Sequence, residues 1–187
     1  MPLLQEKLYR ETFTGKDASI FEIRTIKPDE AAPFSHFLEL IAQETPFTNE
    51  FTGQPKDVEK MRAGLRKLPG NPSIFWVGAF NCNELVGFLG SRAISSGNHP
   101  FFNHIYTFDL MILKKAWGKG LGSRLMQILD EQANGRGIKR IEAVVKQGND
   151  RAMALYKKHG YQVEGTRRKS VRVGNGFIDE YYVAKLF

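Results

Sequence analysis

Apolar positions along this chain fall into short runs whose spacing switches between two and three to four. From Ser19 to Lys27 the run SIFEIRTIK alternates imperfectly between Ile20, Glu22, Arg24, Ile26 and Phe21, Ile23, Thr25, which predicts a strand. Pro28 suits a helix start, and Phe34, Phe37, Leu38 and Ile41 then recur at helical spacing, one apolar face turned inward. A polar loop through Pro46, Phe47 and Asn49 to Pro55 leads to a second helix over about Lys56 to Leu68, with Val58, Met61 and Leu65 in register. Pro69-Gly70-Asn71-Pro72 ends it. Strands over Ser73 to Phe80 and Glu84 to Ser91 flank Asn81-Cys82-Asn83 as a hairpin. A loop at Ser95 to Pro100 precedes a long aromatic strand, about Phe101 to Leu113. A helix follows from Leu121 to about Asn134, then a strand over Ile138 to Val145 and a helix over Asp150 to His159. Two last strands, Tyr161 to Val173 and Phe177 to Leu186, meet at Gly174-Asn175-Gly176, a strong hairpin signal. Residues 1–18 read as an N-terminal extension to one domain spanning 1–187, an α/β chain without internal repeat.

Composition narrows the class. At 187 residues and 42% hydrophobic the chain suits one domain with a sizeable core, and the balance opposes disorder. No apolar run nears the roughly 20 residues that span a bilayer, and Glu6, Lys7 and Arg10 stand where a signal peptide would be apolar. A cytoplasmic protein without membrane attachment is expected. Cys82 is the only cysteine, which removes intrachain disulfides and multi-thiolate zinc sites; it is expected to be buried, and no metal site is expected. The net charge of +7 is uneven: residues 1–100 hold 11 Lys and Arg against 12 Asp and Glu, whereas residues 101–187 hold 16 against 8. That asymmetry suits a polyanion or a phosphorylated ligand.

Candidate chemistry concentrates at Ile112 to Ser123, ILKKAWGKGLGS, where a strand ends, Gly118, Gly120 and Gly122 alternate, and a helix begins at once. Glycines let successive N–H groups point into the space ahead of the helix, where its unpaired donors and partial positive charge favour an anion, above all a phosphate. Lys114, Lys115, Lys119 and Arg124 have the matching sign. The spacing fits neither the Walker loop nor GxGxxG, since Ser123 fills the third glycine slot. A simple chain turn is the open alternative.

A second segment, Asn149-Asp150-Arg151-Ala152-Met153-Ala154-Leu155-Tyr156-Lys157-Lys158-His159-Gly160-Tyr161, sets a turn-forming Asn after a strand, then a helix, then a Gly-aromatic exit. With the glycine turn it resembles the GNAT acyl-CoA N-acyltransferase superfamily, whose signatures read approximately [QR]-x-x-G-x-[GA] and N-x-x-A-x-x-L-Y-x-x-x-G-[FY]. The resemblance spans about Ser19 to Phe187, with Trp117 standing where the family most often has Gln or Arg. It implies a mixed, mostly antiparallel sheet flanked by helices and splayed between its fourth and fifth strands, leaving a cleft for the thioester. It also implies acetyl-CoA as cofactor, held by Trp117, Gly118, Lys119, Gly120, Leu121, Gly122 and Ser123 at the diphosphate. Ile112, Leu113 and Lys114 would lie along the pantetheine arm as an added strand does. Asn149, Tyr156 and Lys158 complete the implied set.

The implied activity is acetyl transfer to a primary amine of a small molecule or peptide, by direct attack in a ternary complex. Tyr156 is the implied acid for the departing thiolate; spacing alone favours a core residue beside Leu155, and the motif context reverses that choice. Asn149 doubles as an N-cap, and Lys158 as a cation complementing the helix dipole. Asp109 and Glu142, with His104 third, are base candidates by position, each also open to a structural ion pair or edge role. Acceptor identity is expected in Pro33 to Pro55 and Arg92 to Phe102, where Phe47, Phe51, Phe101 and Phe102 offer apolar walls and Glu39, Glu44 and Glu50 offer charge. Family members often pair, so a homodimer is among the implied assemblies. Two other readings stay open: an acyl-CoA-binding regulator without turnover, and a basic nucleic-acid-binding module, which no zinc-finger spacing or clear recognition face supports, so no nucleic-acid partner is expected.

Overall fold

The structure is a computed structural model that describes residues 8–49, 57–95 and 99–187. Its eight strands follow the hydrogen-bonded order β1-β2-β3-β4-β5-β6-β8-β7, mostly antiparallel and flanked by helices, with β5 and β6 parallel. The chain gathers into two compact units, residues 1–90 with 110–121, and residues 91–109 with 122–187.

The first unit holds β1 (Arg10–Thr14), β2 (Ile20–Arg24), α1 (Ala31–Glu44), α2 (Val58–Leu65), β3 (Ile74–Asn81) and most of β4 (Glu84–Ala93). β1 lies in the stretch expected as an extension, pairing with β2 from Arg10 against Arg24 to Thr14 against Ile20. Its faces alternate exposed and half-buried, and five residues give too little periodicity to detect. The α1 stripe forms as spaced: Phe34, Phe37, Leu38 and Ile41 are buried with Ile26, Leu65, Phe80, Leu85, Phe88 and Leu113. Phe34 meets Phe88 at 5.0 Å between ring centroids and Trp76 at 6.0 Å. The β3–β4 hairpin turns through Cys82 and Asn83, both at positive φ (48° and 66°) as a primed two-residue turn requires. Cys82 is therefore exposed rather than buried, because a turn tip has no neighbours to bury it.

The second unit holds the end of β4, most of β5 (Ile105–Ile112), α3 (Leu121–Arg136) from Gly122 onward, β6 (Arg140–Lys146), α4 (Asp150–Lys158), β7 (Gln162–Val173) and β8 (Gly176–Leu186). The aromatic run starts as turns at Phe101 to His104, so β5 begins later than its composition suggests. Parallel pairing of β5 with β6 covers Ile105–Thr107 against Arg140–Glu142, while β6 continues to Lys146 along β8. The Gly174-Asn175 turn closes the last hairpin as expected, Val173 facing Gly176. Leu125, Met126, Ile128 and Leu129 of α3 are fully buried, as are Ile141 and Val183. Phe108, Tyr156 and Tyr161 form an aromatic trio with centroid distances of 5.1, 5.5 and 5.9 Å.

Two stability predictions follow from this packing. A Cβ on Gly78 would stand 2.7 Å from Leu85 Cδ1 and 2.9 Å from the Phe80 ring, so Gly78→Ala is expected to cost about 1–3 kcal/mol in denaturant unfolding. The Tyr161 hydroxyl is buried without a hydrogen-bond partner among the described residues. Tyr161→Phe is therefore expected to leave stability unchanged or raise it by about 1 kcal/mol; a loss of that size would reveal a bridging water.

Candidate active site

The glycine turn belongs to the first unit up to Leu121 and is built by backbone conformation. A short 3-10 turn at Lys114–Ala116 takes the chain off the end of β5. The Trp117 indole N–H then donates to the Ile112 carbonyl at 2.7 Å, tying turn to strand end with a bond that Gln or Arg would not make in the same way. Gly118 (φ +76°) and Gly120 (φ +89°) occupy the left-handed region, where a side chain is strained. Space over Gly118 is open among the described residues: beyond its chain neighbours, none of them stands within 4 Å of where its Cβ would be. α3 starts immediately, presenting its first N–H groups without intrahelical acceptors. Such a geometry fits a phosphate.

Charge around the turn differs from the bare count of lysines. Lys115 is paired with Glu84. Lys119 donates to Asp17 at 2.9 Å and to Ser19 Oγ at 3.0 Å. In the second unit Arg124, on the first turn of α3, pairs with Glu131 at 2.7 Å. Three of the four cations read from sequence thus have a carboxylate already.

The implied pantetheine strand is also occupied by protein partners. Ile112 accepts from Trp117, and the Leu113 N–H donates to Val86 at 2.9 Å. The Lys114 N–H donates to the Glu44 carboxylate at 2.7 Å, from the last residue of α1. A pantetheine amide that uses the Lys114 N–H needs Glu44 to withdraw. Glu44 was visible only as one of three scattered acids; its contact spans 70 residues of sequence, which no local pattern encodes.

In the second unit, Asn149 caps α4, its side-chain oxygen accepting from the Ala152 N–H at 3.2 Å. Its amide N–H groups are left for other acceptors. Tyr156 is buried, edge-on to Phe108, and its hydroxyl has no hydrogen-bond partner among the described residues. Burial, and then the charge of Asp109, push its phenol well above the usual tyrosine value, so it stays protonated. Lys158 donates to Ser123 Oγ at 3.3 Å, joining two residues of the implied cofactor set.

The base candidates sit in ion pairs. Asp109 accepts from Arg92 at 2.8 Å, both about half exposed. Glu142 accepts from Arg140 at 2.8 Å, and Arg140 also grips Glu164 with both terminal nitrogens. The His104 side chain is exposed, while its carbonyl accepts from Lys139 and Arg140. Phe101 and Phe102 are exposed, with His99 between their rings at 5.8 and 5.1 Å; Phe47 and Glu39 lie in the described part of the acceptor region, and Glu50, Phe51 and Pro55 lie outside the described residues. Among the described residues no group of three or more His, Cys, Asp or Glu is placed to hold a metal ion.

Known proteins resemble this chain in sequence and fold. The sequence profile of the acetyltransferase (GNAT) family matches residues 36–161. The L-amino acid N-acetyltransferase AaaT of Escherichia coli is 29% identical over 121 residues, 64% of this chain and 73% of that protein. The N-alpha-acetyltransferase RimI of Mycobacterium tuberculosis is 34% identical over 111 residues, 59% of this chain and 66% of that protein. A GNAT-family acetyltransferase structure from Streptococcus pneumoniae superimposes with a TM-score of 0.82 at 30% identity, covering 89% of this chain and 99% of that one. With more than half its length matched, both signatures included, this chain belongs to the acetyltransferase (GNAT) family.

Proposed function

We propose that this chain, acting as one cytoplasmic N-acetyltransferase domain, moves acetyl from acetyl-CoA to a primary amine of a small molecule or peptide. The observation that carries the reading is the left-handed Gly118 and Gly120 turn, open over Gly118 and running straight into α3. The names of the relatives support the acceptor class: one is an L-amino acid N-acetyltransferase, the other an N-alpha-acetyltransferase. The yncA protein of Salmonella typhimurium, solved with its cofactor acetyl-CoA, has the same fold at a TM-score of 0.74 and 16% identity. No described helix is long and apolar enough to cross a membrane.

Acetyl-CoA supplies the thioester. The amine nitrogen attacks its carbonyl carbon, the carbon–sulfur bond breaks, the sulfur leaves as thiolate and takes a proton, and the amine loses one. The amides of Gly118 to Gly122 and the Ser123 hydroxyl hold the diphosphate, with Asn149 on the pantetheine amide. Tyr156 keeps a proton for the thiolate. Asp109 and Glu142 accept the amine proton only through water and only if Arg92 or Arg140 releases them, so an acceptor that arrives neutral suits this site better.

Calorimetric titration with acetyl-CoA is expected to show stoichiometric binding at micromolar to submillimolar affinity; no binding at millimolar cofactor would end this reading. Tyr156→Phe is expected to lower kcat by about 10²- to 10⁴-fold with cofactor affinity nearly intact. Because the folded phenol titrates above its ordinary value, its deprotonation is not expected to limit the rate at or below pH 10. An alkaline limb below that pH that disappears in Tyr156→Phe would contradict the assignment.

A further inference from the structure

Resting on the acetyl-CoA reading, we propose that Lys16, in the turn between β1 and β2, is a phosphate-binding residue of the cofactor site. This turn lies outside the segment matched by the family profile. It is locked onto the glycine turn through main chain and side chain together. The Lys16 N–H donates to the Lys119 carbonyl at 3.0 Å. Asp17 and Ser19 hold the Lys119 ammonium from the other side, at 2.9 and 3.0 Å. Gly15 is packed so closely that a Cβ there would stand 3.1 Å from the Lys119 carbonyl oxygen.

The effect is an exchange of cations. Lys119, the lysine within the glycine turn, has its charge matched by Asp17, whose carboxyl is held at about 2 by Lys119 and Ser19 and so stays ionised at any physiological pH. Lys16 takes its place. Its methylenes lie along Gly120, with Cγ and Cε 3.7 and 3.9 Å from where a Cβ on that glycine would be. Its side chain is exposed, and its ammonium has no ion pair among the described residues. A lysine laid along a left-handed glycine has its methylenes against the turn and its charge at the tip, in solvent, where an anion binds. Gly120 is needed for its φ of +89°, and the Lys16 stem packs at ordinary contact distance from it.

The test is calorimetry of the full chain with acetyl-CoA and with its analogue lacking the 3′-phosphate, for wild type, Lys16→Ala and Lys16→Arg, at low and high salt. Lys16→Ala is expected to weaken acetyl-CoA binding about tenfold, to flatten its salt dependence, and to leave the melting temperature unchanged because the side chain is exposed. Lys16→Arg is expected to restore most of the affinity. A loss seen equally with the analogue assigns Lys16 to the diphosphate; a loss confined to acetyl-CoA assigns it to the 3′-phosphate. Wild-type affinity and salt dependence in Lys16→Ala overturn the inference while leaving the acetyl-CoA reading intact. Wild-type protein that binds neither compound removes that reading itself.

Discussion

Two left-handed residues two apart, Gly118 and Gly120, are the constraint on which the candidate site depends. With L side chains at these positions the chain would be pushed toward extended or right-handed conformations, and the amides ahead of α3 would no longer face one point. The turn is also braced: indole to Ile112 carbonyl on one side, Lys16 amide to Lys119 carbonyl on the other. Glycine supplies the permission to adopt this shape, and the two bonds supply the rigidity. Preorganised amides matter because an anion that had to order a floppy loop would lose binding energy to conformational entropy.

Charge illustrates how far a count falls short of a field. The C-terminal excess of Lys and Arg points to an anionic ligand, yet Arg124, Arg140, Arg167 and Lys185 are each met by a carboxylate within the second unit. Most of these pairs are exposed enough to add little stability. Their consequence is to localise the positive potential, since a paired cation offers an incoming phosphate less than an unpaired one. The balance at the glycine turn is then decided by whichever lysines lack a carboxylate.

Most elements were legible because periodicity and punctuation agree locally: the α1 stripe, the Gly174-Asn175 turn and the Asn149 cap all encode their structure within a few residues. β1 was missed because RETFT is short and amphiphilic without a clear face. Cys82 was misjudged because burial preference was applied to a residue that the flanking Asn81 and Asn83 place at a turn tip. Among candidate site residues, positions on one motif could be named from sequence, whereas their partners could not. Glu44 reaches Lys114 across 70 residues and Ser19 reaches Lys119 across 100, and such contacts exist only once the sheet has formed.

The environment of Tyr156 sharpens what an acid here must do. Desolvation raises the phenol above its ordinary value, so proton transfer to a free thiolate near 8.5 is more uphill than for a tyrosine in water. A pre-equilibrium transfer is therefore the wrong picture. The same low dielectric would disfavour a thiolate formed there as well, raising its own proton affinity as the carbon–sulfur bond stretched. The two effects have the same origin and oppose one another in the transfer. Tyr156 would thus act as hydrogen-bond donor to the developing charge first and as proton source only late, when the leaving group has become the stronger base.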